Sequence, residues 1–139
     1  QHTDSTSYGP TNSQSYQQGP QTPTFTLKKN TNKVKVTANF MVYADARGGG
    51  FLSAACALYR GSVASGTKIT SGSQPMLFAS GAGSVEWYMA FQTLTFLDAP
   101  GGNTTYSLAF KQNNGSNAAQ VRIHGSQMQT VIMLEEFSA

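Results

Sequence analysis

The feature that most restricts the fold of this chain is a two-residue apolar rhythm that returns in one stretch after another. Val34, Val36, Phe40 and Val42 lie on one side of an alternation, opposite Lys35, Thr37 and Asn39. Val85, Trp87, Met89 and Phe91 alternate with Glu86, Tyr88, Ala90 and Gln92, and from Leu94 to Leu97 both sides are apolar. Thr104, Tyr106, Leu108 and Phe110 alternate against Thr105, Ser107 and Lys111, and Ala119, Val121 and Ile123 repeat the pattern against Gln120, Arg122 and His124. Successive side chains of a strand point to opposite faces, so this rhythm predicts half-buried strands. No stretch carries a sustained helical period bounded by caps.

Turn chemistry divides the rhythm into short elements. Arg47-Gly48-Gly49-Gly50, Gly81-Ala82-Gly83 and Asp98-Ala99-Pro100-Gly101-Gly102 are breaks, and Asn113-Asn114-Gly115-Ser116 has the residues of a hairpin turn. The Ala-rich run Phe51 to Arg60, a strand pair within Gly61 to Gly72, and a short strand begun by Pro75 fill the middle. Val131 to Phe137 is an apolar strand too greasy to stand as a free edge. About eight strands result, and antiparallel chains of that kind close as a sandwich or jelly roll. The expectation is an all-β, antiparallel jelly-roll sandwich over residues 25–139.

Residues 1–24 differ in kind. They hold 15 Ser, Thr, Asn and Gln, three Pro and no aliphatic side chain. Such a segment buries too little apolar area to offset its ordering entropy, and alone it is expected to be disordered. It has neither the basic start nor the apolar middle of a signal peptide. It reads as an extended polar arm that orders on a partner, with Tyr8, Pro10, Tyr16 and Pro20 as its contacts.

Composition limits the chemistry. Only 11% of residues are charged against an ordinary value of about 25%, and Asp, Glu, His and Cys together number nine. Of two histidines, His2 is in the arm and His124 lies in an outward row beside Arg122. Glu135 and Glu136 are adjacent and point to opposite faces of a strand. Asp45 is placed in a loop beside Arg47, and Cys56 reads as a small packing residue. No G-x-S-x-G elbow or phosphate loop occurs, and two Asn-x-Thr/Ser patterns, at Asn103 and Asn114, fall in turns. The chain is therefore expected to be non-enzymatic, with no catalytic residue, cofactor or metal.

Four of the nine basic residues are Lys28, Lys29, Lys33 and Lys35. Their plain reading is a solvated strand whose lysines keep an edge from self-pairing. A nucleic-acid partner is not expected, because the aromatics sit inside the apolar alternations rather than along a basic stripe. No apolar run approaches the roughly 18 to 20 residues of a membrane span, so no membrane partner is expected either.

Two stretches carry a family likeness. Phe96-Leu97-Asp98-Ala99-Pro100-Gly101-Gly102-Asn103-Thr104-Thr105-Tyr106-Ser107-Leu108 resembles the "Leu-Asp-x-Pro, short turn, Thr-Tyr-x-Leu" segment of jelly-roll domains in tailed-bacteriophage virion proteins. Thr130 to Phe137 resembles the terminal strand that closes such chains, and Leu58-Tyr59-Arg60-Gly61 fits their "Leu-x-Arg-Gly" hairpin. The likeness covers about residues 34–137 and leaves the arm outside. The family fold is similar to the tumour-necrosis-factor/C1q jelly roll and usually assembles as trimers. The resemblance implies a component of the virion surface.

These readings combine in one expectation: a homotrimeric knob tethered through residues 1–24 to the major capsid protein or another virion component, as decoration or cement. Its candidate core or trimer-interface residues are Trp87, Tyr88, Phe91, Phe96, Tyr106, Phe110 and Phe137. The alternative is the receptor-binding tip of a tail fibre or spike, recognising a host-surface glycan or protein. Exposed loops containing Arg47, Gly49, Asn113 and Asn114, together with Gly81–Gly83, would make the contact. A third expectation, a secreted C1q-like ligand, would call for a leader and a disulfide framework, and neither is read in these residues.

Overall fold

One strand organises the rest of the molecule. In a computed structural model describing residues 1–45, 51–70, 74–80, 87–114, 120–123 and 128–138, Lys33–Asp45 runs as an unbroken strand of 13 residues. In chain order the strands are β1 (His2–Asp4), β2 (Tyr8–Thr11), β3 (Gln17–Gln21), β4 (Lys33–Asp45), β5 (Phe51–Arg60) and β6 (Thr67–Lys68). They continue as β7 (Gln74–Ser80), β8 (Trp87–Asp98), β9 (Tyr106–Asn114), β10 (Gln120–Ile123) and β11 (Thr130–Phe137). All pairings among the described residues are antiparallel.

Along one side of β4 lies β8, in register from Val34↔Asp98 to Asp45↔Trp87. Along the other side β11 and β10 follow end to end, pairing with Lys33–Asn39 and Val42–Asp45. Beyond them, β1 pairs with β11 and β2 with β10. The second sheet has the order β3, β9, β5, with β6 and β7 both on the far side of β5.

The alternation in β4 decides which surface is inside. Val34, Val36, Ala38, Phe40, Val42 and Ala44 are all buried and join Val121, Ile123 and Ile132. Facing them are Leu52, Ala54, Cys56, Leu58, Tyr106, Leu108 and Phe110 of the second sheet. Two sheets with interdigitating inner faces form a sandwich. Burying a side chain such as Leu58 or Leu108 contributes roughly 1.5–3 kcal/mol. Burial also pushes the Cys56 thiol up, so it stays protonated and inert.

The structure corrects several expectations. Among the described residues the body holds eight strands, β4 to β11, the number expected for residues 25–139, but three more, β1 to β3, come from residues 1–24. That leader was expected to grip a partner; it grips the rest of its own chain. The ladder needs only backbone N–H and C=O groups, which a segment without aliphatic side chains still possesses. At Gly19 the approach is so close that a β-carbon would lie 2.5 Å from the Leu108 carbonyl oxygen, so only glycine fits. The division between arm and body at residue 24 thus separates no independent layer: β1, β2 and β3 are edge strands of the two sheets.

The lysines of β4 do not guard an edge, since β4 is paired on both sides. Its long apolar inner row draws it to the centre, and Lys33 and Lys35 sit on its outer face. Asp45 is the last residue of β4 and fully buried, not a loop residue. The strand pair expected within Gly61–Gly72 is reduced to the two-residue β6. β11 lies between β4 and β1, an interior position that suits so apolar a strand.

Candidate functional site

The outer face of the first sheet is where apolar side chains are left uncovered. In β8 the even positions Tyr88, Ala90, Leu94 and Phe96 pack on the core, which turns the odd positions outward. Met89 is 55%, Phe91 63% and Leu97 53% exposed, and Phe137 of β11 is 46% exposed. Met41 and Tyr43 of β4 lie beside Phe91 and Met89 in register, and Met133 lies beside Thr37.

This surface has a polar waist between two apolar ends. At the waist the Thr93 hydroxyl donates to Asn39 Oδ1 at 2.7 Å, and the Thr37 and Thr95 hydroxyls meet at 3.3 Å. At one end Leu97, Phe96 and Phe137 border a dip rimmed by Lys33 and Lys35. At the other, Phe91, Phe40, Met128 and Val131 line a second dip. Lys35 Nζ sits 2.8 Å from Glu135 Oε2, an exposed pair contributing little energy but cancelling charge. The Arg122 guanidinium lies 5.5 Å from the Tyr43 ring centroid.

β8 is an edge of unusual character. Among the described residues it pairs with β4 alone, and from Trp87 to Leu97 it carries no charged side chain. Natural edge strands are normally short, charged or interrupted by proline, because a long bare apolar edge pairs with other chains.

At the end of β8 the sequence motif becomes a fastening. Buried Tyr106 donates its hydroxyl to Asp98 Oδ2 at 3.0 Å, and Arg60 Nε stands 3.7 Å from the same oxygen. Burial, with the Asp98 charge beside it, pushes the Tyr106 phenol well above its usual range. Glu136, on the inner side of β11, accepts from the Asn32 side chain at 2.7 Å and the Lys28 N–H at 2.8 Å. The Asn32 bond leads in holding its carboxyl below the ordinary value.

The second sheet has a different outer surface. Ala55, Ala57 and Ala109 have no exposed area although they face away from the core. Tyr16 lies across them: its ring is 5.9 Å from that of Tyr59 at 66°, with Lys68 Nζ at 5.3 Å and Lys111 Nζ at 5.0 Å. Lys68 pairs with Tyr59 and Lys111 with Ala55, so the ring covers the Ala57–Ala109 row between them. Small side chains let it settle.

Of the expected arm contacts, Tyr8 packs on the core and donates its hydroxyl to Asp4 Oδ2 at 2.8 Å. Burial raises the Asp4 carboxyl, but the Thr6 N–H, the Tyr8 hydroxyl and nearby His2 outweigh it and hold it below its ordinary value. Pro20 is buried, whereas Pro10 is exposed. The seven aromatics separate: Tyr106 and Phe110 are core, Tyr88 and Phe96 are half-buried against it, and Phe91 and Phe137 belong to the uncovered face. Trp87 and Asn114 are described by backbone only, while Arg47, Gly49 and 81–83 lie outside the described residues. Asn113 donates to the Ser53 hydroxyl at 3.4 Å. Met89, Leu97 and Met133 were not singled out in the sequence, although their odd-numbered spacing with Phe91 and Phe137 marks a common face. No protein-family model and no curated protein matches the chain.

Proposed function

We propose that this chain is a non-enzymatic structural protein of a bacteriophage virion, a jelly-roll knob that assembles as a trimer and decorates or cements the particle surface. The observation that carries the reading is the outer face of the first sheet, with apolar side chains exposed among the described residues and a β8 edge that none of these pairs. With four strand columns about 4.8 Å apart and a strand of 12 residues, that face measures about 40 Å by about 19 Å. The full face approaches the roughly 800 Å² that each partner contributes to a stable interface, and the area left to cover is smaller because Met41 and Asp45 on it are already buried. Covering the exposed halves of Met89, Phe91, Leu97 and Phe137 contributes about 1 kcal/mol or more apiece. The Lys35–Glu135 pair cancels part of the charge on this face, leaving Lys33 and Arg122 at its two ends.

The strand connectivity supports the jelly roll. The chain passes between sheets at β2–β3, β3–β4, β4–β5, β7–β8, β8–β9 and β9–β10, which leaves most strands beside partners distant in sequence, the β5–β6 hairpin excepted. The arm remains the proposed contact with the capsid protein, now as folded edge strands rather than a loose strap. Native mass spectrometry tests the assembly: the expected mass is three times the 14.8 kDa of the chain. A monomer at every concentration, with no binding to particles, refutes it. The receptor-tip reading has one observation in its favour, the lysine-flanked tyrosine on the second sheet.

A further inference from the structure

The outer face of the second sheet gathers positive charge that no acid among the described residues neutralises. Among the described residues, the Tyr16 ring is the one partner of the Lys68 and Lys111 ammonium groups. The acids are engaged elsewhere. Asp98 faces Tyr106 and Arg60, Asp4 faces Thr6 and Tyr8, Glu135 faces Lys35, and Glu136 faces Lys28 and Asn32. Asp45 ends β4 in the other sheet, and Glu86 lies outside the described residues.

Beside the ring runs a groove lined by Tyr16, Gln17, Gln18, Gln21, Ser62 and Val63. Its walls are fixed: Gln18 Oε1 accepts from the Val63 N–H at 2.8 Å, and Gln21 Nε2 donates to Thr105 Oγ1 at 2.9 Å. One wall is the leader and the other the β5–β6 hairpin. The groove therefore presents amides, a hydroxyl and an aromatic edge, and the Tyr16 ring that lines it carries two cations within 5.3 Å of its centroid.

We propose that this groove binds an acidic polysaccharide, a chain of sugar rings bearing carboxylate or sulfate groups. Each acid group would take a lysine from the tyrosine, since a charge-assisted hydrogen bond exceeds an exposed cation–π contact. Ring hydroxyls can donate to the side-chain oxygens of Gln17 and Gln21, whose Nε2 groups donate within the chain, and the apolar side of a pyranose suits the tyrosine. Two cations held on one ring are already gathered, which lowers the ordering cost of binding. The site is separate from the trimer face and stands or falls apart from it.

The test is calorimetric titration of the full chain with four probes: alginate oligosaccharide, dextran sulfate, neutral dextran and poly-glutamate. Alginate or dextran sulfate binds, and which of the two binds more tightly identifies carboxylate or sulfate as the acid. The double variant K68Q/K111Q loses roughly tenfold or more in affinity, as expected when two charge-assisted contacts go. The variant K28Q/K29Q, with the same change in net charge, keeps the parent affinity. Amide shifts on titration fall at residues 16–19, 21, 59, 68 and 111. Three results overturn the proposal: neutral dextran or poly-glutamate binding as tightly as the acidic sugars, K28Q/K29Q losing as much as K68Q/K111Q, or no acidic probe binding at all.

Discussion

Replacing Gly19 by alanine probes the claim that the leader is part of the fold. The new β-carbon would stand 2.5 Å from the Leu108 carbonyl oxygen, against a closest ordinary carbon–oxygen approach of about 3.3 Å. The obstacle is backbone on a central strand, so β3 must retreat by roughly 0.8 Å. That retreat stretches the pairing of Gln17 and Gln18 with Phe110 and Ala109, and strains the Thr22 N–H bond to the Tyr106 carbonyl at 2.8 Å. Each ladder bond contributes about 0.5–1.5 kcal/mol net, whereas peeling β3 away returns about 1 kcal/mol of backbone entropy per residue. The molecule takes the cheaper route, which limits the cost to about 2 kcal/mol. Urea denaturation measures it, and hydrogen exchange should show faster amides in residues 17–21 and their partners in β9. The control is Gly102→Ala, where a β-carbon meets nothing within 4 Å and stability should hold or rise slightly. If Gly19→Ala stays within about 0.5 kcal/mol of the parent with unchanged exchange, the leader is not clamped as described.

Three further outcomes follow from the geometry. F91S/L97S should dissociate the assembly by native mass spectrometry while shifting the subunit's own stability by no more than about 0.5 kcal/mol, since both residues are exposed on it. Tyr106→Phe removes the donor to nearly buried Asp98 and should cost about 1–3 kcal/mol in urea denaturation, with the Arg60 contact left behind. Asp4 titrates below its ordinary value when folded, so its contribution is complete above the usual carboxylate range and disappears as pH falls through the depressed value. Hydrogen exchange of residues 2–11 should therefore accelerate at the acid end of that range, and Asp4→Asn should remove the pH dependence.

The sequence made β4 legible because its inner row is apolar throughout and its outer row is polar from Lys33 to Asn39, leaving one solution. β8 was legible as a strand but not in orientation. Both of its rows are apolar, and the side that faces the core follows from its register with β4, which no local pattern encodes. The leader was illegible for a different reason: its strands are held by backbone pairing at sheet edges, and side-chain hydrophobicity carries no trace of that. Likewise Tyr16 meets Lys68 and Lys111 only because three segments distant in sequence converge. Lys33 and Lys35 misled because an edge and the outer face of a central strand present the same alternation.

The pairing of His2–Asp4 with Thr130–Ile132 ties the earliest residues of this stretch to some of its latest. A ribosome must therefore synthesise β11 before β1 has anywhere to go. Throughout that wait the leader exposes no greasy surface, so it can remain loose without inviting misassembly. A polar composition that looks unsuited to folding is what allows these residues to arrive last.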